Sequence, residues 1–212
     1  MGTLWLYALP LDEVRAFFAA PAGLADQLLT QAEAVTRKAA PANLIGKVGP
    51  LFRHPIAPVI DLPGPTSDDA KCLVEGRSVT PDRLRDAWVI VRHWCNVNSV
   101  DRMTLEIDLQ HMEELDFCLV SRGLSSKFSL QTVLARDPRL PLHSAPGLQV
   151  GWMPDHHVAQ AAEQWRDAVA ECDVPTEGLG ALRDQLAQFF GRSPTWLSDD
   201  ASAPDVLALY QR

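Results

Sequence analysis

Long apolar runs are missing from this chain of 212 residues, and so is any excess of positive charge. No stretch approaches the ~18 apolar residues of a membrane span. Arg15 falls too near the start for a secretory signal. A chain with neither is expected to be cytoplasmic and to stay off the membrane. Only 4 residues are lysine, and with 15 arginines the net charge is still −8. Binding phosphate needs a positive surface, so nucleic acid is not an expected partner. Cysteine is scarce as well. Cys72, Cys95, Cys118 and Cys172 are scattered with no C-x-x-C pair. In a chain without an export signal, four reduced thiols are expected, with Cys95 and Cys118 as small core residues.

The short signatures of catalysis are absent too. There is no G-x-S-x-G elbow and no G-x-G-x-x-G after a strand. Gly46-Lys47 in LIGKVGP lacks the preceding glycine and the following Ser or Thr of a phosphate loop. No cofactor is expected from such a chain.

What is present is ordinary globular material, 47% hydrophobic and 22% charged. A chain this long hides roughly 70% of the surface it exposes when unfolded, so it needs no staples. The most strongly patterned stretch is Thr80–Asn98. Thr80 suits an N-cap and Pro81 the first helical position. Leu84, Ala87, Trp88, Val91, Trp94 and Cys95 then recur at helical spacing on one broad face. Two tryptophans there predict deep burial, since each ring covers ~150–250 Å².

The ends of the chain read differently. Thr3–Leu9 and the stretch 204–210 are short apolar runs, expected to pair as strands. Leu11–Phe18 and Leu24–Lys38 turn helical between them. Residues 39–67 are rich in proline yet too apolar for a disordered linker, so an ordered loop is expected. Asp68–Glu75 is a short helix closed by Gly76. Within 101–120 a strand period (Met103, Leu105, Ile107) passes into a helix period near Leu109, with Met112, Leu115, Phe117 and Leu119 inward. One short helix covers Ser126–Arg136, and 140–150 reads as extended and broken by prolines. Two amphipathic helices follow, one with Val158, Ala161 and Trp165 inward, the other with Leu182, Leu186, Phe189 and Phe190. The expected architecture is α+β: one helix-rich domain over 1–212, with a small sheet pairing the N- and C-terminal strands.

Six histidines are the natural candidates for chemistry. His156-His157 are adjacent, so on a helix they point about 100° apart and cannot chelate one metal together. His111 and Glu114 have i,i+3 spacing, half of a metal site, but lack the second histidine of H-E-x-x-H. Negative charge is the stronger signal. Between Asp101 and Asp116 six carboxylates face the single Arg102, a local −5. The bland explanation is a solvated outer face. The functional one is a docking surface for a basic protein partner, formed by Glu106, Asp108, Glu113, Glu114 and Asp116. The expected function is therefore a non-enzymatic protein-binding module. The alternative is a metal- or histidine-dependent enzyme that gathers His54, His93, His111 or His143 in one cleft.

Four segments carry a resemblance to a family: LDEVRAFF at 11–18, DRLRDAWVIVRHW at 82–94, VGWMPDHHVAQAAEQW at 150–165 and DVLALYQ at 205–211. In order and apolar spacing the chain resembles the YfbM-like group of small bacterial proteins and its actinobacterial relatives. The group has no established catalytic residues, so the resemblance implies none here. The 39–66 and 101–116 stretches are not features shared with it. Some small acidic bacterial proteins neutralise toxins, and by that analogy an immunity-like role is expected.

Overall fold

A computed structural model describes residues 1–18, 20, 30, 64–172, 178–196 and 203–212. The helix expected at Leu24–Lys38 falls almost wholly outside the described residues, as do His54 and most of the proline-rich stretch. The chain divides into two compact units, Met1–Phe18 with Cys95–Arg212 and Ala19–Trp94, and each is taken by itself.

The first unit is built on four antiparallel strands: β1 (Gly2–Leu9), β2 (Asp101–Ile107), β3 (Leu148–Met153) and β4 (Asp205–Gln211), in the order β2-β1-β4-β3. The two chain ends pair as expected, with Leu6 opposite Ala208. Both are central strands, which is why their sequences are apolar on both faces rather than alternating. Leu4, Leu6 and Ala8 point into the main core, while Tyr7 and Leu9 on the other face are buried as well.

Helices carry the rest: α1 (Leu11–Phe17), α2 (Ser67–Val74), α3 (Leu84–Asn98), α4 (Leu109–Ser121), α5 (Leu130–Ala135), α6 (Asp155–Glu171) and α7 (Leu179–Gly191). The strand-to-helix changeover falls at Asp108, whose carboxylate accepts the His111 N–H at 2.9 Å and caps α4. Gly123 ends that segment in the left-handed region, at φ +102°. The main core centres on Trp165 of α6, which is 0% exposed and stacked on Phe190 of α7 at 5.1 Å.

Three expectations are corrected. The stretch read as extended and broken by prolines up to 150 becomes a regular strand at 148–153, and β3 completes the sheet. A Cβ at Gly151 would sit 2.1 Å from the Val133 carbonyl oxygen, so only glycine lets α5 lie this close across the strand. The expected helix at Ser126–Arg136 is split into a 3-10 turn (Ser126–Phe128) and α5. Ser129 breaks it by turning extended and accepting the Thr132 N–H at 3.3 Å. Phe117 points outward, because a residue two places from Leu115 lies on the opposite side of a helix.

In the second unit, Thr66 and Asp69 form a capping box at the start of α2. Asp69 is buried and gripped by Arg83, which also pairs with Asp86 at 2.8 Å. Burial opposes the Asp69 charge, but the Arg83 and Thr66 bonds outweigh it and hold its pKa below the usual value. The expected N-cap at Thr80 makes no side-chain cap bond, and Pro81–Arg83 is a 3-10 turn leading into α3. The apolar face of α3 is buried as its spacing predicts, Trp88 and Trp94 included. Among the described residues, no helix is long and apolar enough to cross a membrane.

Candidate functional site

The acidic segment folds as β2, the cap residue Asp108 and α4, and its carboxylates go to three different fates. Asp101 is neutralised: Arg192 bonds it through Nε at 2.7 Å and Nη2 at 3.1 Å, and the Trp196 indole donates at 3.0 Å. Partial burial works against its charge, but these donors prevail and keep its pKa low. Asp116 turns inward. The carboxylates left at the surface are Glu106, Asp108, Glu113 and Glu114.

Glu106 is exposed on β2 and accepts the Thr3 hydroxyl at 2.9 Å. Asp108 spends one oxygen on the α4 cap and lies 3.1 Å from His111 Nδ1. Glu114 accepts from Gln110 at 3.0 Å, one turn earlier on the same helix. Glu113 is exposed on the outer face of α4, and one turn on from it lies Phe117, 78% exposed. Val120 continues that stripe and is also exposed. A large aromatic side chain left in water beside carboxylates is the kind of anchor that protein interfaces use. Sequence reasoning found the acids but placed Phe117 in the core.

Asp116 is the correction to the expected set, at 6% exposed. It follows Met112 by four residues and precedes Leu119 by three, which puts it on the buried side of α4. There its two oxygens accept the Leu130 and Gln131 N–H groups, each at 2.9 Å, and satisfy the otherwise open start of α5. Burial raises its pKa to about 6, against the opposing pull of those hydrogen bonds. Between about pH 4 and pH 6 the folded chain therefore holds a proton that the unfolded chain has released. This group's contribution to stability falls as pH rises through that window, by about 3 kcal/mol in all. Asp116→Asn should remove that component, which denaturation midpoints measured at intervals from pH 4 to pH 7 would show. Parallel pH profiles for the two proteins would sink the assignment.

Of the six histidines, His54 lies outside the described residues, and His156 and His157 have ring centroids 4.4 Å apart. His93 belongs to the second unit. His143 is exposed, and neither it nor His111 lines the clefts described below. His156 is exposed, its Nδ1 3.3 Å from Asp155. His157 packs edge-on to Phe128 with ring centroids 5.7 Å apart. Burial first, and then the charges of His156, Arg136 and Lys127, lower its pKa. Among the described residues, no three His, Cys, Asp or Glu side chains gather to hold a metal.

Two of the clefts on the first unit bear on these residues. One, of about 390 Å³, lies where β1 and β3 end. Each strand meets a proline, Pro10 or Pro154, and turns directly into a helix, α1 or α6. Asp205, the first residue of β4, lies between them. It accepts the Leu11 N–H at 2.7 Å and the Asp155 N–H at 2.9 Å, so one carboxylate caps both helices. Burial raises its pKa, with Asp155 and Asp12 adding to the effect. Arg15 and His156 also line this cleft. The other cleft, of about 490 Å³, runs between α4, α5 and β3, and Glu113 is among its walls.

A disulfide fastens the acidic helix. Cys118 of α4 is bonded to Cys172, the residue that ends α6. This corrects the expectation of four reduced thiols: among the described residues, Cys72 and Cys95 are the free ones. Helix periodicity placed Cys118 inward, but no spacing rule pairs residues 54 apart; that takes the packing of α4 on α6.

No family model, curated protein or solved structure matches this chain.

Proposed function

We propose that the protein is a non-enzymatic binding module whose α4 face docks a basic protein, and that it works in the cytoplasm. The observation that carries this reading is Phe117, 78% exposed on the helix that also presents Glu113 and Glu114. The carboxylates steer a positive partner at long range, and the aromatic ring supplies the apolar contact that slows its departure. Neutralising a basic toxin is one role such a face would serve. The YfbM-like resemblance adds no residue to this reading.

The test is to recover the partner on the intact chain and measure its affinity against salt. Replacing Glu106, Asp108, Glu113 and Glu114 by their amides should weaken binding and flatten its salt dependence. Asp108→Asn keeps the helix cap, since asparagine caps as well as aspartate. Unchanged affinity and salt slope would remove the acidic face from the account.

A second reading, a histidine-dependent activity, is favoured by one observation. His156, Asp155, Asp12 and Asp205 meet in the cleft at the ends of β1 and β3. Among the described residues, however, no serine, threonine, cysteine or lysine lines that cleft to serve as a nucleophile.

A further inference from the structure

We propose that the outer edge of β3 is a strand-addition site for an extended basic segment of the partner, an inference that rests on the docking reading above. β3 is at the end of the sheet, and among the described residues β4 is its sole partner strand. The register shows which of its backbone groups are committed. The Arg212 N–H bonds the Gly147 carbonyl at 3.2 Å, so residue 147 faces β4. Alternation along an antiparallel strand then turns residues 149 and 151 toward β4, and 148 and 150 away from it. The Leu148 N–H, pointing outward, is taken by the Ala145 carbonyl at 3.0 Å. Among the described residues, the outward N–H and C=O of Val150 have no partner.

These groups open into the cleft of about 490 Å³ between β3, α4 and α5. Its walls fit a strand with alternating side chains. Leu109 is half-buried there, with the buried Met112 and Leu134 behind it, and Glu113 is the cleft's charged lining residue among those described. Exposed edges are ordinarily blunted by a lysine, a proline or a bulge. Leu148-Gln149-Val150 carries neither a lysine nor a proline. The free stretch is short, because α5 crosses the strand at Gly151 against Val133 and Leu134.

Charge selects the occupant. Glu113 belongs both to this cleft and to the α4 face that carries Phe117, so a basic segment paired with β3 extends the same docking surface. A second copy of the chain would bring another Glu113 and another −8 to the same place, and like charges would oppose it. Main-chain hydrogen bonds would then hold the segment, while Glu113 and the apolar wall select its side chains.

The test uses a capped peptide of alternating valine and lysine, its valine–glutamate counterpart, and a valine–lysine peptide N-methylated at every amide so that neither of its edges can donate to a strand. Binding is read by titration, and pairing by hydrogen exchange at the Val150 amide. The plain basic peptide should bind and protect that amide, and N-methylation should weaken it by about tenfold or more. Val150→Pro removes an outward N–H at an edge position and should cause a similar loss. Glu113→Lys, at an exposed site where folding is not in question, should weaken both basic peptides. If both basic peptides bind alike and only Glu113→Lys matters, strand addition is overturned and the docking face stands. If no basic peptide binds, or Glu113→Lys changes nothing, both readings fall. Equal binding of the glutamate peptide overturns the choice of a basic occupant. Protection of Val150 that grows with protein concentration alone overturns it in favour of a second copy.

Discussion

Reducing the Cys118–Cys172 disulfide should lower the stability of the fold by about 4 kcal/mol, the chain-entropy estimate for a closed loop of 54 residues. The bond joins α4 to the end of α6, so the open form of the unfolded chain gains freedom across α4, α5, β3 and α6 together. Cys118→Ala with Cys172→Ala should reproduce the loss without a reductant. Urea midpoints measured with and without reductant give the difference for the wild type, and the double variant should be indifferent to the reductant. Thiol titration of the unfolded protein supplies the independent check, with two reactive thiols before reduction and four after. Four thiols at the outset would refute the bond. A reducing cytoplasm keeps most thiols free, so in the compartment proposed here the bond would be held where oxidant is supplied. Its state would then set how firmly the face bearing Glu113 and Phe117 is anchored.

Trp165→Ala should cost about 3–5 kcal/mol, in line with other large-to-small changes at fully buried sites. The ring stacks on Phe190 with an interplanar angle of 27°, and its Nε1 donates to the Phe128 carbonyl at 3.3 Å. The aromatic series continues. Phe190 meets Phe189 edge-on at 5.5 Å, and Phe189 meets Trp196 at 5.0 Å. Trp196 in turn donates to Asp101, so the series runs from α6 through α7 to the first residue of β2. Removing its first member opens a cavity that several backbones border, and rigid neighbours cannot collapse into it. Trp165→Phe keeps most of the volume and loses the indole hydrogen bond, so its cost should be nearer ~1–2 kcal/mol. Thermal and urea denaturation of the two variants would separate packing from hydrogen bonding. A Trp165→Ala protein within ~1 kcal/mol of wild type would contradict the burial on which the estimate rests.

How much of this was legible in the sequence depended on whether a local rule governed the residue. The paired end strands follow from their short apolar runs, the buried face of α3 and the apolar faces of α6 and α7 from periodicity, and the structure has them. β3 was missed because LQVGWM lies between prolines and its partner is more than 50 residues away. The lone Gly151 was the available sign, since a glycine inside a strand marks a close backbone approach. Asp116 was counted with the surface acids because it is charged. Its helical position, four after Met112, already placed it among Leu115 and Leu119. Phe117 was misplaced the other way, on the strength of its apolar ring. In both cases position on the helix, not residue type, decides which way the side chain faces. Asp205 could not have been anticipated at all, for its two helix starts lie 194 and 50 residues away in the chain.

That position of Asp205 bears on the timing of biosynthesis. β4 lies between β1 and β3 and is translated after both, so the ribosome must deliver residues 205–211 before either gains this neighbour. Until then β1 waits with one side open through the making of nearly two hundred further residues, and α1 and α6 begin without the carboxylate that closes them. Such a chain cannot complete its sheet vectorially, from front to back. Its nascent form exposes unpaired strand edges, which chaperones shield and which aggregate when left unshielded. A chain cut short before Asp205 loses one of its two central strands and both helix caps in one event.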